Sequence, residues 1–369
     1  MAAGDVLPAE RRTRRDPFTG ATVHQLTDWR AHSHHLYFTN SGLWDDGRRL
    51  LVGSDRDNAT NLYSVDLESG GITQLTDFAP SASLRAQTAF LNPARDEACF
   101  VCDRSLIALD LRTCRQRELF RTPEGYTPGN LSCTADGRTI CHVLHQDLGE
   151  AIYRDFGYTG FREYSAARPH CMILGIDVDS GADRLLYEED FWLGHINTSP
   201  ALTNILTFCH EGPWDTIDQR MWRLDVSTGQ AEPLRPQVPG EAIGHEYWLC
   251  DGLRVGYHGR KDGVHRFGVI RWDGADGVEY DFPHGSTHFH SMDEGLIVGD
   301  GGRGDPYLLL WRLRGGEYDG PRRLAWHRGS FHVQVLHVHP RMFADAAGAT
   351  RVVYTSDHNG YGNVFIADV

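Results

Sequence analysis

The chain has 369 residues, and its 50 Asp and Glu outweigh 36 Lys and Arg to give a formal net charge of −14 at pH 7. This acidic balance argues against nucleic acid or an anionic membrane as the main partner, since both bind basic surfaces. No stretch approaches the roughly 20 apolar residues of a transmembrane helix. The arginines between positions 11 and 15 precede no apolar signal segment, so we expect a cytoplasmic protein, either monomer or homodimer.

A repeated unit dominates the chain from its first third onward. An alternating apolar strand ending in Asp, a turn and a second strand first occur as Leu62–Asp66 and Ile72–Thr76. Later copies begin at Leu106, Met172, Met221, Phe267, Leu308 and Asn363. The spacing of about 40 to 65 residues suits a four-stranded propeller blade. The repeat therefore predicts an all-β, seven-bladed β-propeller, with a six- or eight-bladed ring or a sandwich as alternatives.

The last copy of the repeat ends the chain without an outer strand. Near the other end, Gly20–Thr27 resembles the second strand of the first copy, Gly71–Thr76. This N-terminal strand is predicted to complete the last blade and close the ring. We therefore interpret residues 1–369 as a single propeller domain.

The third copy of the repeat is interrupted between its second and third strands. Residues 142–171 form an insertion that includes Arg154 and Arg168 among several aromatic residues. Insertions of this length on a rigid scaffold usually carry function. We expect this insertion to roof one face of the ring, and the sequence leaves open whether it moves as a lid.

The eight cysteines are scattered along the chain, several of them within apolar runs such as Cys99–Cys102. The sequence contains no second CxxC pair to complete a zinc site. We therefore predict buried, reduced thiols.

Two pairs of histidines with i, i+2 spacing occur late in the chain, His288 with His290 and His337 with His339. On a strand, this spacing points both rings of a pair to one side. Gln334 lies on the same approach, and imidazole nitrogens with one amide oxygen suit Mn, Fe, Co, Ni or Zn. We predict a metal site at His288, Gln334, His337 and His339, with His290 in a supporting position.

Other histidines keep register with the repeat. His34, His195 and His245 each occur where the chain enters the innermost strand of a blade, so they are predicted to converge at one mouth of the channel. His210 and Arg220 bound a loop of blade four on the same face. Arg220 is predicted to direct its guanidinium at a substrate carboxylate, the alternative being an ion pair with a neighbouring aspartate at 215 or 218.

The chain resembles the oligogalacturonate lyases of polysaccharide lyase family 22 over almost its whole length. The motifs that carry the resemblance are Phe208–Pro213, Arg220–Trp222, Val298–Gly301, Gln334–Pro340 and Tyr354–Asp357. Three features differ from the family pattern: a shorter blade six, Val338 in place of a proline, and a second histidine directly after His34.

The resemblance implies roles for individual residues. The metal ligands, usually given as manganese, fall on His288, Gln334, His337 and His339, and the Brønsted base on His245. Arg220 and His210 fall on positions that face the substrate. We further expect substrate contacts from His34, His195 and Arg168.

The resemblance implies a metal-dependent lyase that cleaves short oligogalacturonates by β-elimination, with a small acidic oligosaccharide as partner. A lyase for another uronate oligosaccharide is an alternative. A non-catalytic, TolB-like propeller is a second alternative, since Ser54–Asn58 and Thr355–Gly360 resemble turns of that repeat.

Overall fold

The computed structural model describes residues 2–149, 151–153, 159–282 and 284–369. Within these residues the strands form seven antiparallel sheets, each with its strands ordered from the channel outward. The predicted all-β, seven-bladed propeller is confirmed. No helix in the described ranges is long and apolar enough to cross a membrane.

The bounds of the strands follow the repeat. From the inside outward, blade one comprises Ser33–His35 with Leu43–Trp44, Arg49–Ser54, Asn61–Asp66, Ile72–Gln74 and Val6–Leu7. Blade two comprises Phe90–Leu91, Glu97–Cys102, Ser105–Asp110 and Gln116–Arg121. Blade three comprises Tyr126–Cys133, Thr139–Gln146, His170–Asp177 and Asp183–Asp190. Blade four comprises Leu193–Thr198, Ile205–His210, Met221–Asp225 and Gln230–Pro233. Blade five comprises Glu241–Trp248, Arg254–Lys261, Val264–Arg271 and Val278–Phe282. Blade six comprises Phe289–Ser291, Leu296–Gly299, Tyr307–Arg314 and Glu317–Trp326. Blade seven comprises Arg341–Ala344, Thr350–Ser356, Asn363–Asp368, Thr22–Gln25 and Arg12–Arg15.

The position of a strand within its blade determines its composition. Middle strands are covered on both faces by neighbouring blades, so Glu97–Cys102 is buried at every position and is largely apolar. The outer strand Gln116–Arg121 has a single buried residue and is mostly polar. Apolar clusters join adjacent blades, as where Leu51 and Leu62 pack with Phe100.

The ring closes through the N-terminal strand, as the sequence predicted. Val23 pairs with Ala367, and the Leu26 amide donates a hydrogen bond of 2.8 Å to the carbonyl of Val364. A further strand, Arg12–Arg15, pairs with Thr22–Gln25 and gives blade seven five strands. This fifth strand was not expected from the sequence pattern.

The insertion in blade three is narrower than the predicted 142–171. Positions 142–146 and 170–171 belong to the flanking strands, where His145 pairs with Cys171, so the connection runs from 147 to 169. It contains the short helix Phe161–Ala166. Arg154 lies outside the described residues.

The helix of the insertion packs against blade four. Tyr164 contacts Trp192 with ring centroids 5.0 Å apart, and Ser165 donates a hydrogen bond to the carbonyl of Glu211. Arg162 forms an ion pair of 3.0 Å with Asp215. The insertion therefore covers the loop that leads to Arg220.

All eight cysteines are free thiols, as predicted. Six are buried, but Cys114 is partly exposed and Cys250 is exposed, so the prediction of burial is wrong for these two. Both lie outside the middle strands, where burial on two faces is enforced.

Candidate functional site

Three histidines converge where blades six and seven meet the channel. His288 directly precedes the inner strand Phe289–Ser291, and His337 and His339 precede Arg341–Ala344. The expected strand-like run around Gln334 is wrong, because Gln334–Leu336 forms a 3-10 turn. His339 has a φ of +44°, so a left-handed residue directs its ring into the cluster.

The geometry of the three rings fits a single metal ion. One ligand atom from each of His288, His337 and His339 lies within 4.8 Å of the other two. The ring centroids of His288 and His339 are 4.3 Å apart, and those of His337 and His339 are 5.4 Å apart. All three residues are buried.

The cluster presents ligand atoms without protein partners. Gln334 Oε1, His337 Nδ1 and His339 Nε2 are buried and have no hydrogen-bond partner among the described residues. Buried polar atoms are normally satisfied, so three unpartnered atoms on one short segment indicate a ligand site. Burial first, and then the neighbouring His288, lower the pKa of His337 to about 4, which keeps that imidazole neutral and able to bind metal. Three nitrogens and one amide oxygen suit a divalent first-row ion.

Asp300 orients His288 from behind. Its Oδ2 lies 2.7 Å from His288 Nδ1, and its Oδ1 accepts hydrogen bonds from the amides of Thr287 and His288. Burial alone would raise the pKa of Asp300, but the contacts with His288 outweigh it and hold that pKa below its ordinary value. The contact places Nδ1–H toward the carboxylate and leaves Nε2 free for the metal.

Asp300→Asn is expected to weaken metal binding by about 10- to 100-fold, the usual effect of removing a carboxylate behind a ligand histidine. Metal affinity measured by competition with a chelator tests this. Asp319→Asn is a matched control, because the Asp319 side chain is exposed on the outer strand of the same blade. Equal affinities of the two variants would show that Asp300 does not tune the site.

His290 does not join the cluster. Its Nδ1 accepts a hydrogen bond of 3.1 Å from the Met342 amide, and its ring stacks on Tyr247. It therefore links the inner strands of blades six and seven at a deeper level, and within the described part of the chain its ring does not pack on the ligand rings.

His245 lies beside the metal cluster. It occupies a bulge in the inner strand Glu241–Trp248, with a φ of +54°, and its ring centroid is 4.7 Å from that of His288. His245 Nδ1 is 3.0 Å from Nε2 of His258. Burial first, and then the neighbouring His288 and His258, hold the pKa of His245 well below its ordinary value. The imidazole is therefore neutral at pH 7.

Arg220 is buried in a chain of charged groups. Its Nη1 lies 3.1 Å from Glu211 Oε1, and its Nε is 3.7 Å from Glu246 Oε2. Glu211 Oε2 in turn lies 3.1 Å from His195 Nε2. The guanidinium is 2% exposed.

These contacts correct the alternative interpretation of Arg220, because its ion-pair partner is Glu211 instead of an aspartate of the loop. Buried Glu246 is a second carboxylate near the guanidinium. Asp215 pairs with Arg162. His195 does reach the site, with its ring centroid 5.8 Å from that of His245. A substrate contact by Arg220 stays a prediction.

His210 and Arg168 form a separate group on the same face. The His210 ring stacks on Phe191 at 4.0 Å, and its Nε2 lies 3.0 Å from Glu189. The Arg168 guanidinium lies 5.0 Å from the Phe191 ring centroid. His210 is buried and Arg168 is exposed, so Arg168 is the member of this group that is open to an approaching anion.

His34 lies within the inner strand of blade one rather than before it. Its ring packs on Gly53, where a Cβ would approach to 2.6 Å, and its Nδ1 lies 3.0 Å from the carbonyl of His35. The side chain is 5% exposed, which leaves little surface for the predicted substrate contact.

Several residues of the site were missed by the sequence analysis. His35 Nε2 lies 2.7 Å from the carbonyl of His339, and the Gln87 amide nitrogen lies 3.0 Å from the carbonyl of Gln334. Both hold the backbone of the ligand segment from other blades. His35 follows His34 directly, so the register of the repeat contained a signal for it; Gln87 had none.

Phe38 forms the inner boundary of the site. Its fully buried ring lies 5.5 Å from His288 and 6.0 Å from His245, centroid to centroid. The next residues, Thr39 and Asn40, line a different cavity. Phe38 therefore separates the histidine cluster from the rest of the channel.

The chain matches known proteins over its whole length. The model of the oligogalacturonate lyase family matches residues 1–369. The chain is 28% identical to an oligogalacturonide lyase of Pectobacterium atrosepticum over 402 aligned residues, covering 100% of this chain and 98% of that protein. It is 27% identical to an oligogalacturonate lyase of Dickeya dadantii, with the same coverage. A solved oligogalacturonate lyase in complex with manganese superposes with a TM-score of 0.90 and 26% identity, covering 100% of this chain and 98% of that one.

Proposed function

Because this chain belongs to the oligogalacturonate lyase family, whose model spans its whole length, we propose that it cleaves short oligogalacturonates by β-elimination between C4 and C5 of a uronate. The substrates would be di- and trisaccharides, saturated or 4,5-unsaturated, and the products of the 5-dehydro-4-deoxy-D-glucuronate type. Family membership excludes the TolB-like binding scaffold. The observation that carries the proposal is a buried three-histidine cluster with a neutral histidine, His245, 4.7 Å from one of its rings.

We propose Mn²⁺ as the cofactor, held by His288, Gln334, His337 and His339. The unpartnered ligand atoms support this assignment, and a structural relative was solved with manganese. The donor set also accommodates other divalent transition metals. When bound, the ion would act as a Lewis acid on the uronate carboxylate and make the C5 proton more acidic.

His245 would remove the C5 proton. A base must be unprotonated, and burial holds His245 in that form at pH 7. If His245 donates its Nδ1 proton to His258 Nε2, which lies at 3.0 Å, the lone pair is fixed on Nε2 of His245. His258 would thus select the tautomer that can act as the base.

The charged chain behind His245 would position substrate groups. Arg220 holds Glu211, and Glu211 fixes His195 at the edge of the site. Exposed Arg168 offers a guanidinium suited to a bidentate contact with the carboxylate of a neighbouring sugar. Local cations are necessary for an acidic substrate, since the whole protein carries a charge of −14. We place this chemistry in the cytoplasm, where short fragments of pectin would be degraded.

The length preference provides the test of function. The protein is incubated with digalacturonate, trigalacturonate or polygalacturonate, with and without chelator. The masses of the products are measured by mass spectrometry. We expect product masses that sum to the substrate mass, as elimination requires. We also expect faster cleavage per bond for the short substrates, because the helix Phe161–Ala166 covers the blade-four loop beside the site. The chelator should abolish cleavage of all three substrates.

Two outcomes would contradict the proposal. Product masses that exceed the substrate by one water would indicate hydrolysis. Polymer cleavage as fast per bond as dimer cleavage would mean that an open groove crosses the face, and the roofed pocket would be wrong.

A further inference from the structure

A second cavity occupies the central channel on the far side of Phe38. It encloses about 670 Å³ and is lined by Asn40, Trp248, His290 and Arg341 among others. This volume lies within the roughly 300 to 1,000 Å³ of small-molecule sites. None of the residues that line it has a role in the proposed reaction. We call it the lower chamber.

Arg341 brings an unbalanced positive charge into the lower chamber. One of its N–H groups donates a hydrogen bond to the carbonyl of Phe38, and no carboxylate of the described residues forms an ion pair with it. The chamber's other charged residues are already paired, Arg95 with Asp179 and Asp96 with Arg112.

An enclosed guanidinium without a counter-ion is unfavourable, and an anion that pairs with it recovers the lost interaction. Arg341 is only partly exposed, and its remaining N–H groups are available for such a partner. A guanidinium matches the planar geometry of a carboxylate and binds it through two parallel hydrogen bonds. A single unpaired cation also matches a monoanion better than a phosphate dianion.

The remaining lining suits a ligand with both apolar and polar faces. The Trp248 indole donates its N–H to the carbonyl of Asn197, and His290 contributes a ring from blade six. Small-molecule sites commonly combine aromatic walls with a few placed polar groups. A sugar acid or another small organic acid fits this description.

We propose that the lower chamber is a binding site for a small monoanionic carboxylate, held by Arg341 and separated from the histidine cluster by Phe38. The site is independent of the proposed lyase reaction. Its ligand approaches through the opposite end of the channel, where Cys250 is exposed.

Cys250 provides a direct measurement, because this exposed thiol lines the chamber. The metal-loaded protein is alkylated with and without D-galacturonate, and modification of each cysteine is followed by mass spectrometry. We expect galacturonate to slow the labelling of Cys250 and uncharged galactose to leave it unchanged. Cys114, which is partly exposed in blade two, is the internal control and should react equally in all samples.

Substitutions assign the effect to Arg341. Arg341→Met should raise the galacturonate concentration needed for protection at least tenfold. Arg341→Lys should raise it less, because lysine keeps the positive charge but cannot form the two parallel hydrogen bonds of a guanidinium. Arg95→Met is the matched control, since Arg95 lines the same chamber but is already paired. Protection should also persist when His337 and His339 are replaced by alanine, which separates this site from the metal site.

The proposal fails if galactose protects Cys250 as well as galacturonate, or if Arg341→Met, with a wild-type circular dichroism spectrum, is protected like the wild type. Protection by inorganic phosphate equal to that by galacturonate would overturn the assignment to carboxylates. Loss of protection in the His337 and His339 double variant would place the ligand at the metal site instead.

Discussion

Replacing His337 and His339 together by alanine is expected to remove stoichiometric metal binding and to reduce lyase turnover to background. The two residues supply two of the four ligand atoms, and the remaining imidazole and amide offer too few donors for a stable site. Metal content by elemental mass spectrometry and turnover on digalacturonate measure the effect.

The same variant should keep its fold. Each blade packs its own apolar residues against its neighbours, and the ligand segment is a connection outside the strands that includes a 3-10 turn. Circular dichroism should therefore match the wild type. His332→Ala is the matched control, because His332 is an exposed histidine of the same connection. Tightly bound metal at one equivalent in the double variant would place the site elsewhere.

His245→Ala is expected to lower turnover by about two to four orders of magnitude, the usual contribution of a general base. Metal content and substrate binding should stay close to wild type, because the alanine removes the proton acceptor and leaves the ligand rings in place. Turnover, equilibrium binding and metal content are measured on the same preparation.

Two variants of His258 give a matched comparison for this effect. His258→Gln retains a hydrogen-bond acceptor near the position of Nε2, whereas His258→Leu removes it, so the second should lose more turnover than the first if tautomer selection matters. Near wild-type turnover in His245→Ala would move the base to His210 or to the blade-three insertion.

The propeller fold could be predicted from the sequence because its strands recur in a regular repeat. A strand ending in Asp recurs at Leu62–Asp66 and again at Asn363–Asp368, and both observed third strands include these residues. The same repeat predicted that the N-terminal strand Thr22–Gln25 completes the last blade. The fifth strand of blade seven, Arg12–Arg15, was not predictable, because its four exposed polar residues lack the apolar alternation of a strand.

The metal site was accessible to sequence reasoning for a different reason. The spacing of His337 and His339, together with the family resemblance, pointed to residues that do converge, although the segment is not a strand. The contacts of Asp300 and His35, which hold the ligand histidines in place, could not be predicted. Asp300 meets His288 only once the hairpin of blade six has formed, since the two are 12 positions apart. His35 and His339 are 304 positions apart, so their contact exists only once the ring has closed.

Arg220 shows the limit of reasoning from residue type. An arginine in a loop that faces an acidic substrate suggests a carboxylate contact, but a protein supplies carboxylates too. Glu211 lies 3.1 Å from the guanidinium and buried Glu246 lies 3.7 Å from it. Which carboxylate an arginine meets depends on packing, and packing is absent from the sequence pattern.

The strand that closes the ring has a consequence for how the protein is made. Thr22–Gln25 pairs with Asn363–Asp368, so a strand made early in synthesis waits for the last one. Until synthesis ends, residues such as Val23 present an unpaired strand edge, and such edges recruit other chains. The nascent chain therefore passes through six blades with an open seam, and that seam is the stage of biogenesis at which aggregation competes most directly with folding.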